Sequence, residues 1–233
     1  MHGGNIIKER TNNETVGCQA KDYLQKNNIH LPEYAYWPLE TWKVNAEKLD
    51  TVRKVMLGWD ITDYGLNDFE HIGSVLYTVR NGSIDDKSVG VPFCEKYIVM
   101  RDGQRLTNHY HVAKTEDIIN RAGGVLRLYL WKVDPATGKM TDEDVDVYMD
   151  GVLHTFKAGE EVLVEPGNSI SLTPYIAHIF GPKPGSDLVV GEVSSINDDN
   201  TDNYFLEECL RYTTIEDDEP MTCPLCNEYD KAL

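Results

Sequence analysis

Two of the chain's seven histidines stand two residues apart as His109-Tyr110-His111, within a strand-like run from Leu106 to Val112. Side chains at i and i+2 of a strand leave the same face, so this spacing sets two imidazoles side by side and turns Tyr110 toward the opposite layer. Glu116 follows shortly afterwards, and a chain that turns just after His111 brings its carboxylate back to the same pocket. His178 comes after the turn at Pro166-Gly167 and the run Ser169 to Thr173, where a strand laid beside the first would add a third nitrogen. Three imidazoles and one carboxylate form an N₃O set that suits Mn, Fe, Co, Ni or Zn, with positions open for water or a substrate. The competing reading is plain: histidines that are solvated on a sheet face or satisfied in the core by hydrogen bonds.

Other chemistry-bearing residues sit near these four in sequence or pattern. Lys114, two residues before Glu116, can donate a proton or hydrogen bond if the turn faces the pocket; otherwise it is a solvated surface lysine. Glu192 follows the apolar Leu188-Val189-Val190, which predicts a carboxylate at the mouth of a barrel with its pKa raised by burial, a plausible base. Its bland alternative is a buried ion pair with Arg211 or Lys114. Glu207, Glu208 and Arg211 lie on a C-terminal segment able to fold over the opening. Asp198, Asp199 and Asp202 form an acidic loop whose carboxylates can accept hydrogen bonds from hydroxyl groups, or simply build a solvated turn.

These residues need a frame. The first third of the chain reads helical: Val16, Ala20, Tyr23 and Leu24 predict a helix from Thr15 to Lys26 capped by Asn13 or Thr15. Trp42, Leu49, Val52 and Met56 predict a second, amphipathic helix between Pro38 and Gly58. Asn28 to Pro38, with its prolines and tyrosines, predicts a loop or extended arm. From Ser74 the pattern changes to short β-type runs: Val75 to Arg80, Lys96 to Met100, Leu106 to Val112, Val125 to Val133, Val145 to Met149, Val152 to Phe156, Glu161 to Val164, Ile170 to Leu172 and Leu188 to Val193. Asp150-Gly151 is a two-residue hairpin signal. Short strands with turn residues and no helices between them predict an antiparallel sandwich or jelly-roll barrel. The expected division is a helical and arm segment over 1–70, a β-barrel with the metal site over 71–200 and a C-terminal extension over 201–233, all one structural domain.

Composition limits the partners. With 39 Asp and Glu against 22 Lys and Arg, the formal charge is −17, which argues against nucleic acid and anionic membranes. No long apolar stretch predicts a membrane span, and Met1-His2-Gly3-Gly4-Asn5 lacks the character of a signal peptide. Five scattered cysteines do not form a disulfide framework, so the expected setting is the cytoplasm. Cys223-Pro-Leu-Cys226 lacks the second pair of a zinc finger and reads as two incidental thiols on a tail.

The order H-x-H, short gap, Glu, then a Pro-Gly turn before a later His resembles the cupin superfamily. Longer strings sharpen this. His109-Tyr110-His111-Val112-Ala113-Lys114-Thr115-Glu116-Asp117-Ile118-Ile119-Asn120-Arg121, Pro166-Gly167-Asn168-Ser169-Ile170, His178, Gly191-Glu192-Val193-Ser194-Ser195-Ile196-Asn197-Asp198-Asp199 and the upstream Trp59-Asp60-Ile61-Thr62-Asp63-Tyr64-Gly65 resemble the bacterial D-lyxose isomerase family. The resemblance implies a mainly β cupin jelly-roll barrel with N-terminal helices. It also implies an aldose-ketose isomerase that interconverts D-lyxose and D-xylulose, with D-mannose and D-fructose as a second pair. In that reading His109, His111, Glu116 and His178 hold Mn²⁺, with Co²⁺, Fe²⁺ or Zn²⁺ as alternatives. Lys114 and Glu192 are catalytic, and Glu207, Glu208, Arg211 and Asp198 contact the sugar. A homodimer is implied, with the arm around Tyr34, Tyr36 and Trp37 as a contact. Two other readings use the same ligands: a ferrous oxygenase of the cupin class, and a cupin that binds sugar without turnover.

Overall fold

The computed structural model describes residues 7–233; Met1-His2-Gly3-Gly4-Asn5 lies outside the described residues. Helix α1 (Arg10–Lys26) begins earlier than the expected cap and has no side-chain cap. A distant anchor replaces it: the buried Arg10 guanidinium meets Asp217 at 2.7 Å and Glu228 at 2.6 Å. Thr15, expected near the start, instead lies inside the helix and gives its hydroxyl to the Thr11 carbonyl.

The single helix expected between Pro38 and Gly58 is broken into α2 (Leu39–Val44), a 3-10 turn (Ala46–Lys48) and α3 (Asp50–Lys54). Asn45 ends the first piece, because its side-chain amide donates to the Thr41 carbonyl at 2.9 Å and so competes with continued helical bonding. Trp42, Leu49, Val52 and Met56 nevertheless share one apolar cluster. The periodicity reported a common buried face rather than a continuous helix. In the preceding arm, Tyr34 and Trp37 turn their rings inward onto Trp42, with centroids 5.7 and 6.0 Å away. Of the three expected dimer contacts, only Tyr36 is exposed.

The rest is two antiparallel sheets. Their strands are β1 (Gly58–Thr62), β2 (Ser74–Gly82), β3 (Gly90–Met100), β4 (His109–Tyr110), β5 (Glu116–Gly123), β6 (Leu126–Asp134), β7 (Lys139–Met140), β8 (Val145–Met149), β9 (Val152–Phe156), β10 (Glu161–Val164), β11 (Ser169–Leu172), β12 (Ile176–Pro182), β13 (Leu188–Ser194) and β14 (Tyr204–Phe205). A short α4 (Tyr229–Ala232) ends the chain. The eight-stranded sheet runs β1-β2-β3-β13-β5-β11-β8-β9, and the six-stranded sheet runs β10-β6-β12-β4-β14 with β7 on β6. This is the jelly-roll barrel expected. Asp150-Gly151 joins β8 to β9 with positive φ at both residues, as a two-residue hairpin of this kind requires.

Alternation along the strands builds two layers of core. Leu76, Ile98, Ile118, Leu128, Phe180 and Val190 fill the barrel, while Val75, Tyr77, Val99 and Val189 point outward and are covered by Val16, Ala20 and Leu24 of α1. Burying each such side chain contributes roughly 1.5–3 kcal/mol. The open margin is β9, whose residues Val152, Leu153, His154 and Thr155 are exposed on both faces.

Five strands lie outside the predicted runs: β1, β5, β7, β12 and β14. Glu116 and Asn120 dilute the apolar signal of β5, and Gly181-Pro182 disguises the end of β12. The expected strand Leu106 to Val112 shortens to His109–Tyr110. The C-terminal tail is bound to the body: the Cys226 amide donates to the Trp59 carbonyl at 2.7 Å, and the buried Cys226 packs with Trp42 and Tyr229. Its thiol is therefore a core element rather than a loose end. All five cysteines are free. Among the described residues no helix is long and apolar enough to cross a membrane.

Candidate active site

The polar groups of interest occupy the inward positions of strands whose other inward positions are core. On β12 the inward sequence is Ile176, His178, Phe180; on β5 it is Glu116, Ile118, Asn120; on β13 it is Val190, Glu192, Ser194. The register of β4 and β12 sets His178 directly across from His109. Their ring centroids are 4.3 Å apart, and that of His111 lies 5.2 Å from His109 and 5.9 Å from His178. The third imidazole thus arrives as expected, although on its own strand β12: the run Ser169–Leu172 pairs with β5 and β8.

Each imidazole is oriented by a main-chain carbonyl at Nδ1: Thr107 for His109 at 2.9 Å, Ile176 for His178 at 3.0 Å, and Asp202 for His111. A ring nitrogen facing a carbonyl must carry the proton, which leaves Nε2 as a lone-pair donor. Burial lowers the pKa of all three, with the neighbouring imidazoles adding for His109 and Lys114 adding for His111, which falls to about 4. All three are neutral at pH 7. One donor atom from each lies within 4.8 Å of the others.

Nε2 of His111, Nε2 of His178 and Oε1 of Glu116 are buried with no hydrogen-bond partner. Glu116 Oε1 is 3.2 Å from His178 Nε2 and 3.6 Å from His111 Nε2. Buried lone pairs facing one another without a donor are costly, and a cation among them removes that cost. The donor set therefore fits a divalent metal.

Beside it runs a chain of alternating charges. Lys114 Nζ meets Glu116 Oε2 at 2.8 Å, Glu192 Oε1 at 2.9 Å and Asn197 Oδ1 at 3.2 Å. Lys96 lies 3.6 Å from both Glu192 and Asp199, and Arg211 bridges Asp199 and Asp60 at 2.7 Å each. Four carboxylates face three cations, a balance that leaves room for added positive charge. Burial opposes the charge on Lys114, but Glu116 and Glu192 more than compensate and raise its pKa. Glu192 departs from its expected raised pKa. Burial does push it up, yet Lys114 and Lys96 outweigh burial and hold it below the usual carboxylate value. Burial likewise opposes ionisation of Glu116, and Lys114 with the two imidazoles reverses it.

Lys96, Lys114, Glu116, Glu192 and Asp199 line a cleft with His109 and His178, walled on its other side by Tyr64, Leu76, Leu106, Phe180 and Phe205. Arg211 is at its edge. The remaining expected sugar contacts are elsewhere: Glu207 makes a two-pronged pair with Arg105 at 3.0 and 3.1 Å, Glu208 is exposed, and Asp198 closes its own turn by accepting from the Asn200 amide and the Thr201 hydroxyl. Sequence reasoning missed Lys96 and Asp60. The signal for Lys96 was a lysine in the inward alternation Cys94, Lys96, Ile98, Met100; Asp60 was hidden because β1 was assigned to the helical segment.

The match to known proteins agrees with this geometry. The family model described as D-lyxose isomerase matches residues 9–229. A D-lyxose/D-mannose isomerase of Escherichia coli O157:H7 is 38% identical over 225 residues, covering 96% of this chain and 98% of the relative. One of Serratia proteamaculans is 38% identical over 213 residues, covering 91% and 93%. Among solved structures, the L-ribose isomerase of Acinetobacter sp. DL28 in complex with L-ribose superposes with a TM-score of 0.54 at 14% identity, covering 87% of this chain and 94% of that one. The Cellulomonas parahominis L-ribose isomerase with L-psicose gives 0.52 at 16%, covering 87% and 95%. At those identities the likeness speaks for the fold alone. The sequence match goes further: this chain belongs to the D-lyxose isomerase family and is a sugar isomerase.

Proposed function

We propose that the chain interconverts D-lyxose and D-xylulose, and secondarily D-mannose and D-fructose, with Mn²⁺ held by His109, His111, Glu116 and His178. The observation that carries this reading is the set of unpartnered buried donors, Nε2 of His111 and His178 and Oε1 of Glu116, converging next to a lysine-carboxylate pair. The two relatives, both D-lyxose/D-mannose isomerases, support the choice of sugars.

A bound divalent ion supplies polarisation of the C1 carbonyl and C2 hydroxyl. The chain's own residues move the proton. Glu192, ionised by Lys114 and Lys96, takes the proton from C2 and returns it to C1 by way of an enediol. Lys114 gives a proton to O1 as the enediol forms and takes one back from O2 as C2 becomes the carbonyl, so that it begins and ends the cycle protonated beside the Glu192 carboxylate. Arg211, fixed between Asp60 and Asp199, offers its remaining donors to hydroxyls at the cleft edge. The aromatic and aliphatic wall excludes water and receives the C–H face of the sugar.

The test is ketose formation from D-lyxose under Mn²⁺, with a chelator control and oxygen excluded. Ketose that appears anaerobically and vanishes with chelator supports the isomerase; none at full metal loading overturns it, and oxygen consumption would select the oxygenase. We further infer a cytoplasmic homodimer. Free thiols suit a reducing compartment, the family resemblance supports the dimer, and sedimentation of the purified chain decides its state.

A further inference from the structure

Glu116 and Lys114 reach the site only because the chain reverses sharply between β4 and β5, and this turn has little backbone pairing of its own. The amides of Val112, Ala113 and Lys114 donate to a single carboxylate, that of Asp202. Oδ1 accepts from Val112 at 2.8 Å and Ala113 at 3.1 Å; Oδ2 accepts from Ala113 at 3.3 Å and Lys114 at 2.9 Å. The same residue's carbonyl accepts from His111 Nδ1. One residue thus holds the ring of one ligand and the backbone that carries Lys114 and leads to Glu116. Successive amides wrapped around an anion form a nest, a strong form of backbone recognition. Nearby Asp198 has no such reach, since it bonds Asn200 and Thr201 within its own turn.

We propose that Asp202 is a positioning residue for the metal centre, setting the tautomer and direction of His111 and the path of the turn from His111 to Glu116 without touching metal or sugar. This rests on the metal-dependent reading above. Partners of metal ligands typically cost 10–100-fold in affinity when replaced, and Asp202 serves a ligand and the turn together. Asparagine at this position would present an NH₂ group to an amide that needs an acceptor.

The experiment is Mn²⁺ titration of the metal-stripped full chain, read as the electron paramagnetic resonance signal of free Mn²⁺, for wild type, D202N, D202E and D198N. D202N is expected to bind at least about 10-fold more weakly, D202E to recover part of the loss because a carboxylate is retained, and D198N to match wild type. D202N within twofold of wild type overturns the proposal, as does an equal loss in D198N, which would assign the effect to the loop as a whole. Absence of Mn²⁺ binding by wild type overturns the metal reading itself and the proposal with it. A measurement on wild type alone guards against a D202N that does not fold. In the metal-stripped chain the amides of Val112, Ala113 and Lys114 should exchange slowly in D₂O, and exchange at the rate of free turn amides overturns the clamp.

Discussion

The two sheets treat the cleft differently. The six-stranded sheet gives it His109 and His178 from β4 and β12, neutral rings each tied to a carbonyl two residues back along the chain. The eight-stranded sheet gives it Lys96, Glu116 and Glu192 from β3, β5 and β13, charged groups tied to one another across strands with Lys114 between them. One wall is oriented locally and left with bare lone pairs; the other is oriented collectively and left with ionised side chains. On the proposed function this difference is a division of labour: the first wall would hold the cation, the second would handle the proton, and a sugar between them would meet both.

The largest break in this comparison is His178→Ala, which removes a donor from the neutral wall. Mn²⁺ binding should weaken by at least about 100-fold, more than loss of an outer partner, and ketose formation should vanish with it; calorimetric titration checks the first. Lys114→Met strikes the other wall. It should retain Mn²⁺ yet lower kcat by roughly 10²–10⁴, the usual worth of a positioned acid or base, with KM little changed. A variant at full rate would return Lys114 to a structural role.

Arg211→Ala leaves Asp60 and Asp199 buried without their cation. Removing one member of such a group costs about 3–5 kcal/mol. For a chain of this size each kcal/mol lowers Tm by about 2–4 °C, so calorimetry should show a fall of roughly 6–20 °C. Asp60 should moderate it, because burial already raises its pKa against the pull of Arg211.

Acid, whose effect is the smallest for one imidazole over one pH unit, separates the walls by titration. Burial depresses the imidazoles, to about 4 for His111, while an unfolded histidine titrates near 6.5. Between those values the unfolded chain binds more protons than the folded one, so stability of the metal-free protein is full above pH 6.5 and declines toward pH 4. The slope reaches at most about 1.4 kcal/mol per pH unit for each imidazole. Denaturant titrations at pH 7.5, 6 and 5 in chelator check this, and His178→Ala should flatten the decline.

How much of this was legible in the sequence follows from the same division. The neutral wall was readable because H-x-H fixes a shared face by strand geometry alone, and the long family strings located Glu116 and His178. The charged wall was readable only in part. Lys96 opposes Glu192 because β3 and β13 pair in that register, and a partner set by register across distant strands leaves no local signature. Arg10 against Glu228 is the same case at the other end of the chain, and it moved the start of α1. Asp202 had looked like one more residue of a solvated acidic loop, since a side chain's capture of three amides depends on where the turn after His111 comes to rest.

The uncovered margin at β9 has a consequence for handling the protein. A strand edge with exposed Val152 and Leu153 and unpaired backbone groups is a template for another such edge. At neutral pH the net charge of −17 keeps molecules apart. Acid removes that repulsion over the same range in which the imidazoles begin to loosen the metal-free barrel, so colloidal and conformational stability fail together. Storage in chelator at mildly acidic pH is therefore the condition under which this chain should first come out of solution.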